Sequence, residues 1–201
     1  MYASDKENLA KQLPLYIKTL LESAEKVHQL LESLLQWAGS QMQKQKILQE
    51  NLSAAQVVVE VAELYSSSLQ EKEILFENQC SEQHTVFADL NMLRTILRNL
   101  ISNAIKFTPA KGKILVKTEI QNDKLLFQVE DTGVGMSQDH KKKIFSLREK
   151  ISHRGTSGEK GSGFGLILCK ELVEQQGGEI YLETLKEVGT IFCFTLPLGK
   201  H

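Results

Sequence analysis

The chain has almost no net charge, few cysteines and no long apolar run, and each shortage narrows what it can be. Its formal net charge is −1 over 201 residues, so nothing draws it as a whole toward nucleic acid or an anionic membrane surface. The three cysteines, Cys80, Cys169 and Cys193, are odd in number, far apart and set in apolar surroundings. They read as structural thiols kept in a reducing compartment. No apolar run approaches the ~20 residues of a membrane span, and no secretory leader opens the sequence. The expectation is a cytoplasmic segment with no nucleic-acid partner and no membrane contact of its own, which leaves open a membrane anchor elsewhere in the intact protein. With 41% hydrophobic and 24% charged residues, the composition is that of a globular chain long enough for a full core.

Two periodicities organise what is there. Leu13, Ile17, Leu20, Ala24, Val27, Leu31, Leu34 and Ala38 recur at alternating spacings of four and three. This heptad stripe makes one long helix with a seam for a partner. Pro14 suits the first turn of that helix, Gly39-Ser40 loosens its end, and a boundary is placed at residue 45. Beyond it, Gln45–Gln49 reads as a short strand and Ser53 as the cap of a helix carrying Val57, Val58 and Val61. Residues 73–78 and 85–88 are strand-like. Asp89 caps a helix running to about Lys106, with Leu93, Leu97, Leu100, Ile101 and Ala104 on its buried side. Two alternating strands come next, at 114–120 and 125–129, and Ser137 caps a short helix ending near Phe145. Residues 146–162 have no period, a helix spans 164–176 up to Gly177-Gly178, and 179–183 with 190–196 close a hairpin. The order predicts an α+β fold, a two-layer α/β sandwich with helices on one face of a single sheet.

Three polar signatures punctuate this pattern. Asn99 and Asn103 lie four apart with Lys106 three further on, so all three share one helix face. An asparagine oxygen is a neutral, hard ligand able to hold magnesium while phosphates supply the charge. Asp131 stands at a strand exit before Gly133 and Gly135; its carboxylate can accept from the amine of adenine, and the glycines permit positive φ and close backbone approach. Gly161, Gly163 and Gly165 lead straight into a helix, whose open N–H groups attract phosphate. Taken singly, each has a plainer explanation: two solvated asparagines, a turn ending a strand, a loop that happens to precede a helix.

In this order the motifs resemble those of a known family. The run from Leu97 to Thr108 (Leu-Arg-Asn-Leu-Ile-Ser-Asn-Ala-Ile-Lys-Phe-Thr) resembles the N box of the ATP-binding catalytic domain of sensor histidine kinases, in the GHKL superfamily shared with gyrase, heat-shock chaperone and mismatch-repair ATPases. Glu130–Met136 resembles the first glycine box, Ile144-Phe145 the start of the F box, Gly161–Lys170 the second glycine box and Gly189-Thr190 the final one. The likeness covers 46–198. Leu30–Ala38 is similar to the second helix of the family's dimerisation and phosphotransfer hairpin, so residues 1–45 are expected to be part of that hairpin and 46–201 the catalytic domain.

The resemblance implies a Bergerat-type ATP-binding fold. It implies Mg2+ on Asn103 with help from Asn99, Asp131 reading adenine, and Lys106 beside phosphate. ATP would be bound by Asn103, Phe107, Asp131, Gly133, Gly135, Gly161, Gly163, Gly165, Leu166 and Thr190. Residues 138–162 would form the ATP lid, rooted by Phe145 and carrying the basic run that includes Lys141, Arg148 and Lys160. The implied partners are a histidine-bearing helix of the same kinase, a response-regulator receiver domain, and a second copy in a homodimer. Two departures stand out. Phe145 is followed by Ser146-Leu147-Arg148 where the family has a second aromatic. No histidine precedes an acidic residue: Gln29 follows His28, Thr85 follows His84, Lys141 follows His140, Arg154 follows His153, and His201 is last. The phosphoacceptor is therefore expected outside the chain, which would begin after the acceptor helix. Two other functions remain alongside kinase activity: a nucleotide-binding dimerisation or regulatory fragment without catalysis, and an ATP hydrolase. Against the hydrolase, the position one turn before Asn103, where such enzymes place a water-activating glutamate, holds the neutral Asn99.

Overall fold

In the computed structural model the chain divides into two compact units, residues 1–45 and 46–201. The structure describes residues 47–145, 155–156, 164–185 and 188–199, together with Leu13, Tyr16 and Ile17. Those three are helical and exposed; the rest of the heptad stripe lies outside the described residues. So do Gln45, Gly161 and Gly163.

The second unit is built around one long helix, α3 (Leu90–Phe107). Asp89 ends a strand and caps this helix: its Oδ1 accepts from the amides of Asn91 (3.0 Å) and Met92 (3.1 Å), and its Oδ2 from Leu48 (3.1 Å). Along one stripe α3 buries Leu93, Ile96, Leu97, Leu100, Ile101, Ala104 and Ile105. Losing the cap orphans two of the first-turn donors. We therefore expect Asp89→Ala to lower unfolding free energy by about 1–2 kcal/mol, read from urea denaturation.

Around α3 stand α1 (Ala54–Glu63), α2 (Ser66–Glu71), α4 (Gln138–Lys143) and α5 (Gly165–Gln175). The strands are β1 (Gln49–Ser53), β2 (Leu75–Gln79), β3 (Thr85–Asp89), β4 (Lys113–Gln121), β5 (Lys124–Asp131), β6 (Ile180–Leu185) and β7 (Gly189–Pro197). Five of them form one sheet in the order β2-β4-β5-β7-β6. Its inward face, with Ile114, Val116, Leu125, Phe127, Val129, Phe192, Phe194 and Leu196, meets α1, α3 and α5. Phe127 and Phe194 stack across β5 and β7 with centroids 4.7 Å apart. The expected α+β sandwich is therefore observed.

Two local expectations differ from the structure. The strand read at 45–49 lies at 49–53, where it pairs antiparallel with β3 as a separate two-stranded sheet, so the strands do not all join one sheet. A single bridge, Val86 to Leu198, links β3 to the chain after β7. Strand β2 runs parallel to β4, because the intervening α3 is a crossover long enough to return the chain in the same direction. The thiols behave as expected of structural groups: burial pushes Cys80 up to about 11 and raises Cys169 and Cys193 as well. Among the described residues no helix is long and apolar enough to cross a membrane.

Candidate functional site

Strand β5 delivers Asp131 to the edge of the core. Across the sheet it faces Ile114 on β4 and Thr190 on β7, so both neighbours shield it, and only 5% of it is exposed. Burial raises its carboxyl from 3.8 to about 6, partly offset by the amides of Gly133 and Thr190 and reinforced by Glu130. The Gly133 amide donates to Oδ1 at 2.8 Å. Desolvating a carboxylate is costly, which makes Asp131 a candidate for a ligand that can donate to it.

The loop after Asp131 is pressed against the end of α3. A Cβ on Gly133 would stand 2.5 Å from the carbonyl oxygen of Phe107, and the Val134 amide donates to that same oxygen at 3.2 Å. Close approach is what requires glycine at 133; positive φ is found at Gly135, where it is 60°. The expectation that both glycines serve positive φ thus holds for one of them. Thr184 secures the far side of the loop: its hydroxyl accepts from the Met136 amide at 3.0 Å and donates to the Gly189 carbonyl at 3.0 Å. Thr190 lies in contact, with hydroxyls 3.3 Å apart.

The asparagine face of α3 meets the start of α5. Asn99 donates its amide N–H to the Thr95 carbonyl at 2.9 Å, which turns Oδ1 outward. A Cβ on Gly165 would lie 2.4 Å from that oxygen, so a side chain at 165 would push the Asn99 amide aside. One turn on, the half-buried Asn103 side chain has no hydrogen-bond partner among the described residues. At α5 itself, Phe164 in the capping position supplies no side-chain bond. The first-turn N–H groups at Gly165 and Leu166 thus receive no bond from a capping side chain at Phe164. Lys106 lies with Nζ 4.6 Å from the Phe107 ring centroid.

The structure thus brings Asn99 to Gly165 at the middle of α3, and Phe107 to Gly133 at its C-terminus. These donors fit a magnesium nucleotide. A neutral amide oxygen is available on Asn103, α5 begins without a side-chain cap among the described residues, and a buried carboxylate sits beside a glycine-tight loop. Gly161 and Gly163 fall outside the described residues. Ile144 and Phe145, at the root of the segment read as the lid, pack against the core. Three contributors carried no sequence signal: Thr184, Lys72 and Thr156. The last two act at the C-terminus of α3. Lys72 Nζ donates to the Ile105 carbonyl at 2.8 Å and to the Thr156 hydroxyl at 2.9 Å.

Comparison with known proteins finds relatives among histidine kinases. The chain is 30% identical over 189 residues to the circadian input-output histidine kinase CikA of Synechococcus elongatus, covering 90% of this chain and 24% of that kinase. Among solved structures it resembles full-length ShkA in complex with AMPPNP (TM-score 0.77, 27% identity, 94% of this chain and 39% of that one). It also resembles the catalytic domain of histidine kinase ThkA (TM-score 0.65, 28% identity, 75% of this chain and 95% of that one). The family profile described as "Histidine kinase-, DNA gyrase B-, and HSP90-like ATPase" matches residues 88–200, from the end of β3 through β7, and to that family the chain belongs.

Proposed function

We propose that residues 46–201 are the ATP-binding catalytic module of a two-component sensor histidine kinase, which transfers the γ-phosphoryl group of ATP to a histidine outside this chain. Residues 1–45 are part of its dimerisation and phosphotransfer hairpin. The observation that carries the reading is the splice made by α3, with Asn99 in its middle against Gly165 and Phe107 at its C-terminus against Gly133. That splice sets metal-type ligands and a phosphate-type helix end on the same support as the adenine-type carboxylate.

In this reading Asp131 accepts a hydrogen bond from the exocyclic amine of adenine, where guanine would present a carbonyl. Gly133 and Gly135 let the backbone close against the base, and Thr190 lines the far side through its place opposite Asp131. The N–H groups at Gly165 and Leu166, with Gly161 and Gly163 before them, hold phosphate oxygens. Lys106 adds a positive charge beside them, and Phe107 packs below the nucleotide. Asn103 holds Mg2+ with Asn99, and the ion when bound neutralises charge building on the phosphate oxygens. The acceptor imidazole is its own nucleophile, so the module needs no carboxylate base; this agrees with the neutral Asn99. An ATP hydrolase would need such a base.

The chain spans 24% of the length of CikA, so the acceptor helix, a homodimeric partner copy and the receiver domain that takes the phosphoryl group onward in a phosphorelay belong to this proposal. So does a cytoplasmic site of action. The deciding experiment supplies a separate acceptor-helix hairpin together with labelled ATP and Mg2+. Label on the supplied histidine, with none on this chain, is expected. ATP-dependent thermal stabilisation without transfer would make the chain a nucleotide-binding regulatory segment instead.

A further inference from the structure

The hydroxyl of Thr184 joins segments that lie far from it in sequence. Thr184 is near the end of β6 and pairs with Thr190 on β7, which in turn pairs with Asp131 on β5. One row across three strands therefore ends on the buried carboxyl. A hydroxyl has one proton to give and two lone pairs to accept with, and here all three are used. Oγ1 donates to the Gly189 carbonyl at 3.0 Å, accepts from the Met136 amide at 3.0 Å, and lies 3.3 Å from the Thr190 hydroxyl. With its proton on Gly189, Thr184 meets Thr190 as an acceptor.

The Gly189 carbonyl and the Thr190 N–H belong to one peptide group, and a trans peptide points them in opposite directions. Holding the oxygen on Thr184 thus turns the N–H toward Asp131, whose carboxyl it stabilises in the ionised form against the effect of burial. Gly189 is itself pressed on the same residue, because a Cβ there would collide with the Asp131 carbonyl oxygen. Through Met136 the hydroxyl also holds the far end of the loop that leaves Asp131. The near end is tied by the Gly133 amide to Asp131 Oδ1 at 2.8 Å and by the Val134 amide to the Phe107 carbonyl at 3.2 Å. Thr184 therefore acts on both sides of Asp131, on the strand beside it and on its own outgoing chain.

We propose that Thr184 is a positioning residue for base recognition: its hydroxyl, shared between the Gly189 carbonyl and the Met136 amide, fixes the direction in which the Asp131 carboxylate meets the adenine amine. The proposal rests on the ATP-binding role given above and deepens it, since selectivity for adenine then depends on a hydroxyl two strands away from the carboxylate. Valine matches threonine in shape, suits a strand and removes only the hydroxyl. Serine keeps the hydroxyl and removes only the methyl group. Alanine, smaller at this half-buried position, gives a second chain without the hydroxyl should valine fail to fold.

The test compares the whole chain with Thr184→Val, Thr184→Ala and Thr184→Ser. In nucleotide-free protein, amide hydrogen exchange followed by NMR reads the hold on the loop. The Met136 amide is expected to exchange about tenfold faster in Thr184→Val and at the parent rate in Thr184→Ser. Isothermal titration with ATP and with GTP, both with Mg2+, reads the consequence. Thr184→Val should weaken ATP about tenfold, the scale of leaving a buried donor and acceptor unmet. GTP should change less than about twofold, because guanine offers no amine to Asp131. In transfer to a supplied acceptor the KM for ATP should rise by the same factor while kcat holds, as expected when only base binding is lost. Parent-like ATP affinity in Thr184→Val, equal losses for ATP and GTP, or a serine variant that behaves like valine would overturn the proposal. If the parent chain binds no ATP, the role given to Asp131 fails first and this one falls with it, whereas Met136 exchange still reads whether the hydroxyl holds the loop.

Discussion

Replacing Asn103 with aspartate is expected to lower phosphotransfer to a supplied acceptor by about a hundredfold while leaving the thermal midpoint unchanged. The side chain is half-buried and has no hydrogen-bond partner among the described residues, so the fold loses little when an amide becomes a carboxylate. Its proposed task is to offer Mg2+ a neutral oxygen, with the negative charge supplied by the phosphates. A second carboxylate would compete with those phosphates for the ion and repel them. Circular dichroism, thermal denaturation and transfer from labelled ATP at several Mg2+ concentrations would check this. Wild-type affinity for ATP and wild-type transfer in Asn103→Asp would remove Asn103 from the site.

Asp131→Ala is expected to weaken ATP binding by about a thousandfold, because a pocket built around one polar contact discriminates strongly when that contact is lost. Preference for ATP over GTP should fall with it, and isothermal titration with both nucleotides would measure each. The same carboxyl predicts two pH effects of opposite sense. Its pKa in the folded chain, about 6, lies above the ordinary 3.8. The stability it contributes is therefore complete below pH 3.8 and is lost as pH rises through about 6, by roughly 3 kcal/mol. Asp131→Asn lacks this loss, so without nucleotide it should gain on the parent chain in chemical denaturation between pH 4 and pH 7. Nucleotide binding runs the other way. The amine of adenine needs the ionised acceptor, so ATP affinity of the parent chain should decline as pH is lowered from 7 to 5, whereas Asp131→Asn should show a flat, weak profile. A parent chain whose ATP affinity ignores this pH range would mean that Asp131 does not face the base.

Both predictions concern residues visible in the sequence, and the reason is local. Asn99 and Asn103 are four apart, and helical geometry alone puts them on one face. Asp131 ends an alternating strand and precedes two glycines, so its place at a strand exit needs no knowledge of the rest of the chain. The caps are legible on the same terms: Ser53, Asp89 and Ser137 each accept from an amide two or three residues ahead. The features that are not legible depend on partners remote in sequence. The five residues of β1 show no strong alternation, and their pairing with β3 is decided by the chain that brings β3 back beside them. The serine-rich α2 offers too little apolar period to be distinguished from a loop. The glycine at 133 looks like a turn residue, yet its Cβ is excluded by a carbonyl oxygen of α3.

The amino-acid sequence by itself determined the alternation of helix and strand, the buried stripe of α3, and the three polar signatures with their order, because each rests on periodicity or capping within a few residues. Only the tertiary structure decided which parts of α3 the residues of the other two signatures meet. Burial between β4 and β7 is what raises the Asp131 carboxyl. The packing of α3 is what brings Gly165 to Asn99 and Gly133 to the helix's last residue, Phe107. The carbonyls left open where α3 stops are what gather Lys72 and Thr156. A helix end must find partners for its last carbonyls, but which distant side chains supply them depends on packing, and no local pattern encodes it.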